Sequence, residues 1–395
     1  MVKKSPAAMA ILNSLCFVFL SHVLVLLSSF CSGTKSGHSS KHVAFFIFGD
    51  SFLDSGNNNY INSTTLDQAN FWPYGETYFK FPTGRFSDGR LVSDFIAEYA
   101  NLPLIPPFLQ PTFHHYYDGV NFASAGAGAL VETFQGSVID LRTQLKYYEK
   151  VETWLRNKLG NNNVEVKAML SGGVYLFSIG TNDYTSLFLT NSTILNSYSK
   201  SEYIGMVIGN ITNVIKEIHA RGGRKFGFIN LPEVGCLPGL RIIKPDNNGS
   251  CLEEASSLTK LHNKALSKLL IKLENQLEGF KYSLYDLNSN LRKRMKHPRR
   301  YGTYTMQRNI INHLCFKEGK EACCGTGQFR GVFSCGGKRI VKEFDLCENP
   351  NEYVFWDSFH LTEKVYKQFA DQMWSGVGDS HTLGPYKLKD LFLVP

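Results

Sequence analysis

A chain of 395 residues, 43% hydrophobic and 13% aromatic, carries enough apolar material for a large buried core, in one big α/β domain or in two or three smaller ones. Its formal net charge of +8 is thinly spread, and "LRKRMKHPRR" (Leu291–Arg300) is the one dense basic run. That run has no interleaved aromatics and no recognisable binding module around it, so nucleic acid is excluded as a partner and the run reads as a solvated face.

In chain order, Lys3 and Lys4 precede an apolar stretch from Ala7 to Leu27, which gives way to the small residues of "SSFCSG". This is the charged, apolar and small-residue succession of a secretory signal peptide, so residues 1–33 are expected to be a leader cut between Ser29 and Ser36. A retained membrane anchor is the competing reading, against which Asn13, Ser14, Ser21 and His22 interrupt the apolar stretch. No later run is long enough to span a bilayer, and residues 34–395 are expected to be a single secreted domain. The apoplast is the first expected destination and the vacuole or another endomembrane compartment the second. Four Asn-x-Ser/Thr sequons agree with export, at Asn62, Asn191, Asn210 and Asn248. Beyond the leader lie seven cysteines, Cys236, Cys251, Cys315, Cys323, Cys324, Cys335 and Cys347. In an oxidising compartment they imply three disulfides and one leftover thiol, with the pairing open. No Cys-x-x-Cys pair exists, so a zinc site is disfavoured.

Val43–Phe48, Gly119–Ala123, Val174–Ile179, Lys225–Leu231 and Tyr282–Leu287 read as short buried strands, predominantly apolar as parallel strands covered on both faces are. Between them, Ile204, Val207, Ile211, Val214 and Ile218 recur at helical spacing, as do Leu258, Leu261, Ala265, Leu269 and Leu273. Strands alternating with such helices predict a doubly wound α/β fold. Three of the strands run into "GDS" (Gly49–Ser51), "SAGAG" (Ser124–Gly128) and "GTND" (Gly180–Asp183). Ligands of open parallel sheets bind beyond the carboxyl ends of the strands, so these loops are expected to converge on one edge.

A serine hydroxyl needs a base to take its proton, and the base a carboxylate to orient it. Asp357 and His360 stand three apart in "YVFWDSFHLTE", just before a helix start at Thr362. With Ser51 they make a candidate triad, and the loops of Gly126 and Asn182 offer donors for an oxyanion. The Gly-x-Ser-x-Gly elbow does not surround Ser51, which disfavours the α/β-hydrolase fold. The adjacent histidines of "FHHYYDG" lack a nearby carboxylate pair, so no metal and no cofactor is expected.

Taken in order, "FIFGDSFLDSGNNN", "VNFASAGAG", "SIGTND" and "YVFWDSFHLTE", with "FPTGRFSDGRLVSDFIAE", "INLPEVGCLP" and "ACCGTG", resemble the plant GDSL esterase/lipase family of the SGNH hydrolase superfamily. The resemblance runs from Val43 to Trp374. It implies a flavodoxin-like three-layer α/β/α sandwich with a mainly parallel sheet. It also implies Ser51 as nucleophile, His360 as general base and acid, and Asp357 as its orienting partner. The oxyanion hole would consist of the Ser51 and Gly126 N–H groups and the Asn182 side chain, with Gly128 a rival for the glycine. The implied substrate is a carboxylic ester of a small molecule, lipid or polysaccharide. A modulator protein without turnover and an acyltransferase using the same triad are the alternatives. Two departures stand out: Phe52 replaces the leucine of the family's signature, and Leu361 replaces a proline, freeing φ beside His360. Asp50, Asp54 and Asp183 read as loop-structuring acceptors and Asn57–Asn59 as a turn. The aromatic "FWPYGETYFKFPTGRF" reads equally as a substrate groove or a packed surface loop.

Overall fold

Each of the five apolar runs forms a strand in the computed structural model, which describes residues 43–393 apart from 65–66, 112, 161–162, 245–248, 302, 308–309 and 377–383. The expected leader, 1–33, and the sequon at Asn248 lie outside the described residues. The strands are β1 (Phe45–Gly49), β2 (Gly119–Asn121), β3 (Val174–Ser178), β4 (Lys225–Ile229) and β5 (Lys281–Tyr285). All pairs are parallel, in the order β2-β1-β3-β4-β5. In that order the chain leaves β1 toward one side and returns to its other side, which opens a crevice at the β1/β3 switch point. This is the doubly wound, flavodoxin-like topology expected from the sequence.

Among the described residues the helices longer than one turn are α1 (Val92–Tyr99), α2 (Leu141–Lys158), α3 (Asn163–Gly172), α4 (Thr181–Leu189), α5 (Lys200–Ala220), α6 (Glu253–Gln276), α7 (Leu287–Lys296), α8 (Glu363–Ser375) and α9 (Leu388–Leu393). Strand alternation distributes the core between them. Phe45 and Ile47 face the layer of α1, α7, α8 and α9, whereas Phe46 and Phe48 face that of α2, α3, α5 and α6. On the second face Phe48, Phe177 and Phe228 stack across three strands, at centroid spacings of 4.9 and 5.5 Å. Each buried ring contributes about 1.5–3 kcal/mol. The long helix α5 begins where its sequence allows: Ser199 and Glu202 form a reciprocal capping box.

The basic run Leu291–Arg300 is only partly the solvated face that its composition predicts. Arg294 on α7 is buried: its guanidinium lies 4.6 Å from the ring centroids of both Tyr301 and Phe369, and donates to Gln368 and the Asn290 carbonyl. Its apolar stem and flat head fill a core position that charge alone hides.

Among the described residues three disulfides form, Cys236–Cys251, Cys323–Cys347 and Cys324–Cys335, leaving Cys315 free. The last two share neighbouring cysteines and close loops beside a small parallel pair, β6 (Glu318–Ala322) with β7 (Tyr353–Phe355). The Cys323 and Cys324 amides donate to the Phe355 and Trp356 carbonyls, at 2.9 and 2.7 Å. The bridged loops are thereby fastened to the strand that precedes Asp357.

Candidate active site

β1 ends at a residue that can only be glycine. Gly49 has φ +156°, and a Cβ there would lie 2.3 Å from the Ser178 carbonyl oxygen of β3. Its own N–H and C=O are held by the Gln144 amide of α2, at 2.9 and 2.8 Å. The chain then turns tightly, with Leu53 and Asp54 N–H both donating to the Asp50 carbonyl. This turn sets Ser51 at the carboxyl end of the sheet.

The polar residues that follow brace the loops against one another. The Asp54 carboxylate accepts from Gly56 and Asn57 N–H (2.7 Å each) and, across the site, from Ala125 N–H (2.9 Å). Asn57 donates to the Asn121 and Ala123 carbonyls, and Asn58 to that of Ala125. Asp183 accepts from Ala129 and Leu130 N–H and the Thr133 hydroxyl, and Asn182 Nδ2 donates to the Ala127 carbonyl at 2.9 Å. The three glycine-bearing loops therefore converge as their pattern predicts. Asp54 and Asp183 are loop-structuring acceptors, and the asparagines do more than turn the chain.

On the opposite side, β7 runs into Asp357 and His360. Trp356 N–H donates to the His360 carbonyl (2.8 Å) and Phe355 bridges to Leu361, so the backbone around His360 is pinned without a proline. Leu361 itself is fully buried. Thr362 caps α8 by position only, since its hydroxyl donates to the Tyr353 carbonyl while Asp88 accepts from Glu363 N–H. Asp357, wholly buried, accepts from the Phe359 and His360 N–H groups and faces His360 Nδ1 at 2.8 and 2.9 Å from its two oxygens. His360 Nε2 lies 2.8 Å from Ser51 Oγ. The structure thus brings Ser51, His360 and Asp357 into one hydrogen-bonded line. Gly126 and Asn182 line the same cavity, while Gly128 does not: a Cβ on it would meet Asp183 at 2.4 Å.

The profile of the GDSL-like lipase/acylhydrolase family matches residues 45–373. The chain belongs to this family. It is 56% identical to GDSL esterase/lipase 5 of Arabidopsis thaliana, over 97% of its own length and 96% of that protein's. It is 49% identical to GDSL esterase/lipase 1 of the same plant over 88% and 90%. A GDSL lipase of Tanacetum cinerariifolium is 47% identical over 93% of both chains. This GDSL protein is accordingly a carboxylic-ester hydrolase.

The cavity of this GDSL enzyme measures about 530 Å³ and opens onto Ser51 and His360. Its walls are apolar, built from Phe86, Phe134, Ile242, Val332, Phe333 and Phe359. The aromatic stretch of the sequence is divided between its two readings: Phe86 lines the cavity and Tyr74 is buried, whereas Trp72, Tyr78 and Phe81 are exposed. Sequence reasoning missed Tyr74, whose hydroxyl donates to Asp357 Oδ2 at 2.7 Å, and Arg339, whose Nη2 donates to that hydroxyl at 3.0 Å. A tyrosine in an aromatic run signals a hydroxyl that must find a partner when buried, but not which one. Among the described residues no cluster of three or more His, Cys, Asp or Glu side chains is placed to hold a metal ion, and His114 and His115 are exposed. Of the sequons, Asn62 and Asn191 are exposed, while Asn210 is half-buried on α5 and donates to the Met206 carbonyl.

Burial dominates the electrostatics. It pushes the Asp50 carboxyl up to about 7, and those of Asp54, Asp88 and Asp183 to about 6. Asp357 is the exception. Burial pushes it up too, but the His360 charge and the hydrogen bonds from His360, Phe359 and Tyr74 outweigh burial and hold it below the usual carboxylate value.

A stability prediction follows from linkage. The four raised carboxylates keep protons in the folded state that the unfolded chain gives up near 3.8, so their contribution is full below that value and is lost as pH rises through about 6–7. Buried His262, lowered by burial to about 3, acts with the opposite sign between its folded value and 6.5. Four carboxylates outweigh one imidazole, since a tenfold change in proton affinity is worth about 1.4 kcal/mol at any one group. Thermal unfolding should show a higher Tm at pH 5 than at pH 7.5, and Asp50→Asn should flatten that slope.

Proposed function

We propose that this enzyme is a secreted esterase working through an acyl-enzyme on Ser51. The observation that carries the reading is His360 spanning 2.8 Å to Ser51 on one nitrogen and 2.8 Å to Asp357 on the other. With Nδ1–H donated to Asp357, the Nε2 lone pair faces the serine hydroxyl. Ser51 Oγ attacks the ester carbonyl carbon as Nε2 takes its proton. The resulting oxyanion is received by the N–H groups of Ser51 and Gly126 and by the Asn182 amide, which keeps one N–H beyond that given to Ala127. The C–O bond breaks, and His360 returns its proton to the departing alkoxide. A water then attacks the acyl-serine, gives a proton to His360, and releases the acid while Ser51 regains its hydrogen. The apolar walls suit the acyl chain. The leader-like N-terminus, the sequons and the three disulfides support secretion.

The test compares purified wild type with Ser51→Ala on p-nitrophenyl acetate, butyrate and palmitate, beside a fluorophosphonate label. Labelling and turnover in the wild type alone are expected. From acetate to butyrate, kcat/KM should rise about fourfold per methylene, the equivalent of about 0.8 kcal/mol of burial for each. Turnover that survives in Ser51→Ala would remove the acyl-enzyme reading.

A further inference from the structure

We propose that Tyr74 and Arg339 are a buried positioning pair, holding Asp357 in the orientation and charge state in which it serves His360. This rests on the acyl-enzyme reading above. The Asp357 oxygens are unequally supplied. Oδ1 receives two backbone N–H groups and faces His360 Nδ1 at 2.8 Å. Oδ2 faces that same nitrogen at 2.9 Å and has the Tyr74 hydroxyl, at 2.7 Å, as its other donor. Without the phenol, Oδ2 would keep only a share of the one imidazole proton, and the donors on Oδ1 would be left to set the plane of the carboxylate alone. The phenol is in turn an acceptor for Arg339, and a cation donating into its oxygen strengthens the hydroxyl as a donor.

Arg339 is wholly buried, which makes its placement costly and its neighbours telling. Its guanidinium stacks 4.0 Å from the Phe333 ring and 5.0 Å from Phe71. Phe333 in turn lies 5.3 Å from Phe359, beside His360. Arg339 is carried between Cys335 and Cys347, and both bridged partners, Cys323 and Cys324, are fastened to the backbone just ahead of Asp357. The disulfide-closed segment thus presents one cation two hydrogen bonds from the carboxylate that orients the base.

The cation favours the ionised carboxylate and opposes positive charge on the imidazole. Other titratable groups around Asp357 and His360 are Asp67, which feels both Arg339 and His360, and Tyr366 of α8, which feels Asp357, Asp50 and Asp88. All of these stay in place when Tyr74 or Arg339 is changed. Removing either donor leaves the charge of Asp357 more concentrated toward His360, which tightens its hold on the imidazolium.

The experiment uses the full disulfide-bonded enzyme with Tyr74→Phe, Arg339→Met and Arg339→Lys, on p-nitrophenyl butyrate. Tyr74→Phe and Arg339→Met should lower kcat by roughly 10- to 100-fold, as outer-shell partners do, with KM within about twofold. Fluorophosphonate should still label Ser51, more slowly. The acid limb of kcat/KM should move upward by roughly 0.5 to 1 on the pH scale, and by less in Arg339→Lys, which keeps the charge. The low-field proton resonance of the His360–Asp357 bond should move with it. A folded variant with unchanged kcat and an unmoved acid limb overturns the proposal, as does a loss of activity that tracks the loss of Tm without a limb shift. Should Tyr74→Phe fail to fold, the pH profile of Arg339→Met decides, read against the smaller shift of Arg339→Lys. If the wild type itself takes no label, it is the Ser51 reading that fails, which separates the two.

Discussion

Asp357→Asn should lower kcat/KM by about 10⁴ while leaving the chain folded. An asparagine can still accept from the Phe359 and His360 N–H groups through its oxygen, so the loop geometry has a substitute for half of the carboxylate's work. The other half inverts. The new NH₂ group donates toward His360 Nδ1, and the imidazole answers by moving its proton to Nε2. That proton then faces Ser51 Oγ, 2.8 Å away, where a lone pair is required. The same NH₂ meets the Tyr74 hydroxyl, which already accepts from Arg339, and leaves the phenol proton without its acceptor. Steady-state kinetics on p-nitrophenyl butyrate, beside a melting curve, check both halves. A kcat/KM within tenfold of wild type would remove Asp357 from the orienting role.

The second large effect falls on stability. Asp54→Ala removes one acceptor from three buried N–H groups, of Gly56, Asn57 and Ala125. Each orphaned donor costs about 1–3 kcal/mol. Two terms offset this: the substitution no longer buries a charge, and water can enter the space vacated. The orphaned donors win, because three are lost for one carboxylate, and a net loss of about 4 kcal/mol is expected. For a domain of this size that lowers Tm by roughly 5 °C. Activity should fall as well, because Asp54 ties the Ser51 turn to the loop of Gly126. Differential scanning calorimetry of the variant checks the first part, and an undisturbed Tm would show that the brace is carried by Asn57 and Asn58 instead.

The strands and long helices were legible because their signal is periodic: Phe45 to Phe48 alternate between two cores, and Ile204 to Ile218 repeat at helical spacing. Ser51 meets His360 across 309 positions, and the two were singled out together, with Asp357 and Gly126, only because each sits in a motif whose order resembles that of a known family. What stayed hidden depends on contacts between distant segments. Tyr74 meets Asp357 across 283 positions and Arg339 meets Tyr74 across 265, and neither stretch advertises its partner. Arg294 was hidden for a related reason, since a basic run reads as solvated until the rings that stack on it are known. The disulfide pairing needed the fold, because Cys323 and Cys324 are adjacent and either could reach either partner.

The cavity is made of two unlike materials. The loops that frame it rest on a buried lattice of side-chain to backbone hydrogen bonds in which Asp54, Asn57, Asn58 and Asp183 each serve several groups, so that one replacement disturbs many contacts. Its walls, Ile242, Val332, Phe333 and Phe359 among them, hold the cavity by shape alone. Exchanges of similar volume among such apolar side chains cost less than about 1.5 kcal/mol. Descendants of this gene can therefore drift from one acyl group to another by accumulating wall changes, while the buried lattice is inherited nearly intact. Divergence in diet need not pass through a loss of chemistry.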